Sequence, residues 1–320
     1  MIKYIYGFIL VTAIGIMYEK YRMKYYPDNE LNKIGLITEF FLNDNNNNLG
    51  KPILWIHASR DVNARYWESF NSRNSDKLNQ PFIISCVETI IKHCGKSFNI
   101  CLIDDKSFNK LLPNWKIDLD RLADPVKKHV RQLALMKTLY NYGGMLLPNS
   151  TIVMKDLKPV YLKGIKDKSC FAVEGINKTS SADMLQLIPM TNIIGCKKKS
   201  PCMKDLIGFL ERKISSDSTD EWNFLGETNK FLYKLYNENK LSIVSGKTFG
   251  IIDNQFNMVL IENLMSNSFI DFDKTKLHAI YIPSEEILSR TQYQWFARLS
   301  QQQLRDCDNM AAKYLLIAQE

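Results

Sequence analysis

Apolar residues fall in short blocks along the first half of the chain, and their spacing alternates between two kinds. Pro52–Ala58 is a nearly continuous apolar run with the length and composition of a buried strand. From Phe82 to Cys94 the apolar positions Ile83, Ile84, Val87, Ile90, Ile91 and Cys94 recur at helical spacing. Phe98–Ile103 is a second buried strand, ending in Asp104-Asp105. Asp124-Pro125 has the form of a helix N-cap followed by proline at the first helical position. That helix runs through Val130, Leu133, Ala134 and Met136 to Tyr140, and Gly143-Gly144 stops it. Met145–Leu147 and Thr151–Met154 read as strand pieces parted by Pro148-Asn149. Strand, helix, strand, helix, strand in this order predicts an α/β fold with a Rossmann-type sheet. Beyond residue 160 the pattern continues with strands at Cys170–Val173 and Leu241–Val244 and helices at Met203–Ile214, Asn223–Asn237 and Gln292–Cys307. No composition break divides the second half from the first, so 51–320 reads as one domain.

The N-terminus follows a different pattern. Residues 4–18 carry no charge; Lys3 precedes them, and Glu19, Lys20, Arg22 and Lys24 follow. As a helix this run spans about 22 Å, short of a hydrocarbon core of about 30 Å. Snorkelling lysines and the tyrosines at both ends extend the effective span. No small-x-small cleavage site follows the run, so 1–24 is expected to be an uncleaved membrane anchor rather than a signal peptide. The flanking charges lean towards a cytosolic main domain. Residues 25–50, with the polar run Asp44–Asn48, read as a stalk.

The chain has 320 residues, of which 45% are apolar, enough for a sizeable core. Its net charge of +8 favours anionic partners such as nucleotide phosphates or lipid headgroups. The basic residues are scattered, with only Lys197-Lys198-Lys199 as a tight run, so no nucleic-acid groove is expected. Seven cysteines without a CxxC pair form neither a zinc site nor a disulfide framework, and buried free thiols are expected. A local Cys196–Cys202 bridge is the alternative. No GxGxxG follows the first strand, and no Walker A, GxSxG or HExxH motif occurs.

Three ordered pieces carry a family resemblance: "KPILWIHAS", "PFIISCVETIIKHCGKSFNICLIDDKSFNKLLP" and "HVRQLALMKTLYNYGGMLLPNSTIVMKDLKP". They resemble the opening strand, the helix and second strand, and the signature helix with its Tyr-Gly-Gly turn in capsular polysaccharide synthesis proteins and related DXD glycosyltransferases. After Pro159 the resemblance thins to pieces such as "EWNFLGET", "KTFGIID" and "KLHAIYIP". The resemblance implies a GT-A-like mixed sheet flanked by helices, with a nucleotide-sugar at the carboxyl ends of parallel strands. In that family two carboxylates beyond the Tyr-Gly-Gly turn hold Mn²⁺ or Mg²⁺, which neutralises the diphosphate leaving group. Here those places hold Pro148 and Ser150, with Asn149 between, and the family's Asp three residues before the helix Arg131 is Lys128. No metal is therefore expected on this strand, and no other cofactor.

The resemblance nominates Trp55, His57, Asp104, Asp105, Lys128, Arg131, Tyr142, Gly143, Gly144, Asn149, Ser150 and His278 as candidate donor-binding residues, and no catalytic residue. Each has a bland counterpart. Arg131 suits a structural ion pair, and Lys128 a solvated helix face. Gly143 and Gly144 suit a helix stop, Asp104 and Asp105 a turn or cap, and Trp55, His57 and His278 the packed interior. Asn149-Ser150-Thr151 and Asn177-Lys178-Thr179 are glycosylation sequons. The expected function is a membrane-anchored glycosyltransferase using a nucleotide-sugar donor and a glycan acceptor, with its metal carboxylates replaced. The alternative is an inactive GT-A scaffold serving as a binding or structural protein of a membrane or particle. A third reading is a membrane-attached interaction protein unrelated to that family.

Overall fold

The computed structural model describes residues 51–59, 80–112, 114–178, 185–216 and 221–320. The expected anchor (1–24) and stalk (25–50) lie outside the described residues. Among the described residues no helix is long and apolar enough to cross a membrane. Residues 46–320 form one compact unit.

The chain runs β1 (Ile53–His57), α1 (Pro81–Cys94), β2 (Asn99–Ile103), α2 (Phe108–Leu111), α3 (Val126–Tyr142), β3 (Gly144–Pro148) and β4 (Thr151–Val153). It continues through α4 (Lys158–Gly164), β5 (Cys170–Ile176), β6 (Leu187–Cys196), α5 (Pro201–Ser215), α6 (Glu221–Asn237) and β7 (Ser242–Val244). The last elements are α7 (Ile261–Met265), β8 (Ala279–Tyr281), α8 (Ser284–Ser289), α9 (Gln301–Arg305) and α10 (Met310–Gln319). The central sheet has the order β2-β1-β3-β6-β5-β7. β1 is parallel to both β2 and β3, β6 is antiparallel to both β3 and β5, and β7 is parallel to β5. β6 alone therefore runs against the other five strands. The periodicity predicts the α/β class, and the mixed sheet flanked by helices is the one the resemblance implies.

Both faces are covered, which is why β1 reads as an unbroken apolar run: Leu54, Trp55 and Ile56 are all buried. One face carries α3 and, over β6, α6, with α5 packed against both and joined to α3 at the rim by Lys137–Glu211 at 2.7 Å. Against the other, α1 packs with the C-terminal helices α9 and α10. Phe82, Ile83 and Cys86 of α1 share a core there with Ile152, Ile280, Phe296, Ala311 and Leu315.

Three expectations are corrected in detail. Thr151–Val153 does not extend the central sheet but pairs antiparallel with β8, Thr151 opposite Tyr281. Pro148 has no N–H with which to continue the ladder, and Asn149-Ser150 turn the chain away. Asp124 is not an N-cap. Its peptide to Pro125 is cis, the helix begins at Val126, and the entry turn is closed by backbone, Lys127 N–H donating to the Ala123 carbonyl at 2.9 Å. The single helix expected over Gln292–Cys307 is three short pieces. Ser300 starts a new helix there through a reciprocal capping box with Gln303, ending what precedes it. All seven cysteines are free thiols, and six are buried. Burial pushes the Cys94 and Cys196 thiols up to about 12.

The Gly143-Gly144 pair is required by close approach. Gly143 (φ 73°) and Gly144 (φ 103°) occupy backbone that side chains rarely adopt, and a Cβ on Gly144 falls 2.2 Å from the Ile53 carbonyl oxygen. Gly144→Ala is expected to cost about 3 kcal/mol or more, read as a lowered urea midpoint. Gly208→Ala, in α5 with its nearest neighbour atom at 3.5 Å, is expected to raise stability by about 0.5–1 kcal/mol.

Candidate functional site

Parallel strands present their carboxyl ends on one edge of the sheet. β1 connects outward to β2 through α1, whereas β3 lies on its other side, so the strand order reverses between β1 and β3. A crevice outside the carboxyl ends at such a reversal is the usual ligand site of open α/β sheets. Here that point is marked by His57 and Pro148, directly opposite in the β1–β3 register. Because α1 and α3 each run back against the strands they join, both place their N-termini at this edge.

The edge is organised around one buried carboxylate. Asp105, in the first turn after β2, accepts from Arg131 Nε at 2.8 Å on Oδ1 and from Arg131 Nη2 at 2.7 Å on Oδ2. His57 Nε2 donates to Oδ1 at 2.9 Å. The side chains of Asp105, His57 and Arg131 are 7%, 11% and 13% exposed, so all three are largely withdrawn from water. The His57 ring stacks on Phe108 of α2 at 5.7 Å, interplanar angle 2°, which fixes its plane. Desolvation acts to raise the Asp105 carboxyl. The hydrogen bonds from Arg131 and His57 and their charges outweigh it and hold the carboxyl well below the usual carboxylate range. Asp104 is occupied differently. Its Oδ1 accepts from Ser107 N at 2.8 Å and Ser107 Oγ at 2.6 Å, a reciprocal cap on the turn carrying Asp105.

The other sequence candidates fall in separate places. Lys128 is half-buried near the N-terminus of α3, one turn before Arg131, on the carboxyl edge. Asn149 and Ser150 form the turn beyond Pro148 on the same edge, and Ser150 is buried with Oγ donating to the Ile282 carbonyl at 2.6 Å. Trp55, Tyr142, Gly143 and Gly144 gather instead towards the amino end of β3. Trp55 Nε1 donates to the Gly143 carbonyl at 2.9 Å, and Tyr142 OH to the Leu111 carbonyl at 2.8 Å. Trp55 is buried with its ring 5.7 Å from that of Tyr142. These four hold β1, α2 and the α3–β3 joint together, away from the carboxyl edge. His278 stands just before β8; its Nδ1 is paired with the Lys276 carbonyl at 2.9 Å, and its own carbonyl accepts from Met154 N–H. The sequon asparagine Asn177 is buried with Nδ2 donating to the Leu185 carbonyl at 2.8 Å, a position with no room for a glycan.

A divalent metal does not fit the residues at the end of β3. Pro148 offers no side-chain oxygen, the Ser150 hydroxyl is spent on Ile282, and Asn149 supplies only a neutral amide. Among the described residues no group of three or more His, Cys, Asp or Glu is placed to hold an ion.

Other residues come to this side of the molecule without any local signal in the sequence. Gln132 of α3 donates to Thr191 of β6. Lys178, just past β5, pairs with Glu286 of α8. Tyr281 is pushed above its ordinary value chiefly by burial, despite a hydrogen bond with Asn192. All three contacts join positions well separated in the chain.

The chain matches no protein-family model and no curated protein sequence. It is similar in fold to the galactosyltransferase LgtC in complex with donor and acceptor sugar analogs, at TM-score 0.38 and 9% identity over 83% of this chain and 95% of that one. It is also similar to the bifunctional glycosyltransferase WbbM, at TM-score 0.44 and 12% identity over 75% of this chain. The match covers 47% of WbbM, about half its length. The glycosyltransferase GlyE of Streptococcus pneumoniae TIGR4 gives TM-score 0.36 and 8% identity over 84% of this chain and 60% of that one. Likeness at this level says nothing of chemistry, which rests on this chain's own residues.

Removing Arg131 leaves a buried carboxylate with one partner fewer. Arg131→Ala is expected to destabilise the protein by about 3–5 kcal/mol in urea unfolding. The Asp105 carboxyl is depressed in the folded state, so its stabilising effect is full above the unfolded-state value near pH 4. It is lost as pH falls towards the lower folded value. Asp105→Asn is therefore expected to flatten the fall in melting temperature between about pH 5 and pH 2.

Proposed function

We propose that the chain is a sugar transferase of GT-A type that takes a nucleotide-sugar at the carboxyl edge between β1 and β3. The observation that carries this reading is the strand reversal at His57 and Pro148, closed from below by the Asp105–Arg131–His57 clamp. The ordered resemblance across Pro52–Pro159 supports it. The reaction is displacement at the anomeric carbon. The bond to the diphosphate breaks with its electron pair on phosphate oxygen, and an acceptor hydroxyl forms the new bond and gives up its proton.

In this reading the diphosphate is met without a metal. Arg131 is paired with Asp105, and the positive end of the α3 dipole, with Lys128 in the same first turns, gives this edge the field that favours a phosphate. Asn149 is a half-buried polar residue in the turn at the same edge. We also propose that residues 1–24 anchor the protein in a membrane, on the strength of the uncharged run 4–18.

A second reading is favoured by the turn at Pro148–Ser150. Where the family holds two carboxylates this chain has filled the position with packing, Ser150 being tied to β8. That is what an inactive scaffold kept for binding looks like.

Thermal shift with UDP, GDP and their sugars separates the two. A transferase gains about 2.7 kcal/mol at a ligand concentration 100-fold above Kd. The expected shift is the same in Mn²⁺ and in EDTA, and Lys128→Ala diminishes it. A shift that requires Mn²⁺ overturns the metal-free reading, and no shift with any nucleotide leaves the scaffold.

A further inference from the structure

A wide, open surface cavity is lined by Thr291, Gln294, Trp295, Arg298, Leu299 and Gln303, and Thr291, Trp295, Arg298 and Gln303 among them are exposed. Trp295 is 43% exposed, so much of the indole meets solvent. The ring stands edge-on to Phe296 (5.9 Å, 89°), and the fully buried Phe296 packs on Phe82 at 5.2 Å. Two amides around it are each pinned by one end. Gln294 Nε2 donates to the Leu288 carbonyl at 2.8 Å, and Gln303 Oε1 accepts from Ser300 N at 2.9 Å. This orients Gln294 Oε1 as an acceptor and Gln303 Nε2 as a donor, beside the exposed Arg298 guanidinium and the Thr291 hydroxyl.

We propose that this cavity binds carbohydrate, with one pyranose ring stacked on Trp295 and its hydroxyls met by Gln294, Gln303 and Arg298. A pyranose has a face of C–H groups and a rim of hydroxyls that both donate and accept. A rigid aromatic plane ringed by oriented amides matches that pattern. An anionic ligand calls for more than the one cation present, and an acyl chain for an apolar wall where four polar side chains stand. Position agrees. Gln301 Nε2 donates to the Pro81 carbonyl at 3.3 Å, which ties this segment to the N-terminus of α1 and so to the carboxyl edge of the sheet. The inference rests on the transferase reading only in naming the occupant as the acceptor. The stacking site stands on its own residues.

Ligand-observed saturation-transfer NMR on the full chain tests it, with methyl glucosides, galactosides and N-acetylglucosaminides and with maltose, lactose and chitobiose as probes. Binding of at least one probe is expected, weakened tenfold or more by Trp295→Ala and partly restored in Trp295→Phe. Gln303→Glu keeps the helix cap while removing the donor, and is expected to weaken binding several-fold without lowering the melting temperature. No binding by any probe, or equal affinity in Trp295→Ala and Gln303→Glu, overturns the proposal. The nucleotide thermal shift is expected to be unchanged in Trp295→Ala, so loss of donor binding and loss of this subsite are read separately.

Discussion

One carboxylate joins the elements whose ends meet at the carboxyl edge of the sheet. Asp105 follows β2, Arg131 comes from α3 and His57 ends β1, and none is adjacent in sequence to another. An ion this far from water is costly unless both oxygens are paired, and here both are. The interaction therefore works as a condition: the first-turn geometry after β2, the height of α3 on the sheet and the end of β1 must all be right together. Asp104 sets that geometry by capping the turn, and Phe108 sets the imidazole plane. The pair of adjacent aspartates thus splits into a backbone cap and a charge clamp, two jobs that the dipeptide alone does not distinguish.

β3 carries the opposite constraints at its two ends. At its start the backbone comes so close to Ile53 that only glycine fits. At its finish Pro148 withholds a ladder donor, and the chain leaves the sheet to pair with β8. The joint at the start is rigid because Trp55 donates to the Gly143 carbonyl from beneath. The Tyr-Gly-Gly run is thus a device for packing a helix end against a strand start. Its strong sequence signature reports on that packing, and the crevice lies at the other end of the same strand.

Much of the fold was legible because burial on both faces makes β1, β2 and β3 apolar without interruption, and because α1 and α3 show clean helical spacing between them. Thr151–Val153 is just as apolar, since β4 is buried too, so composition alone does not show that it belongs to a second sheet. The stretch from 292 to 307 kept a helical pattern because successive short helices preserve local spacing while the axis changes at Ser300. Within the candidate site, Asp105, His57 and Arg131 were each visible as single residues, but their pairing was not, because it spans 48 and 26 positions. The Trp295 cavity had no signal at all; its aromatic and amide residues sit in what read as ordinary helix.

The clamp bears on how a diphosphate would be held in the proposed reading. Arg131 has its charge already answered by Asp105, and breaking that pair exposes a buried carboxylate. It is a poor source of charge for a ligand, and its conservative reading is as the strut that keeps α3 at its height. The helix that Arg131 holds then brings its own N-terminus and Lys128 to the edge. One cation at about 4 Å with an effective dielectric near 20 supplies about 4 kcal/mol before desolvation is subtracted. A divalent ion between two carboxylates supplies more field but brings two negative charges with it. In the proposed reading, Pro148-Asn149-Ser150 brings neither a metal nor anions to hold one, so the balance of charge facing a phosphate differs little from that of a divalent ion held by two carboxylates. The strand is then compatible with anion binding, and the Ser150 hydroxyl, which donates to the Ile282 carbonyl, is not placed as a metal ligand.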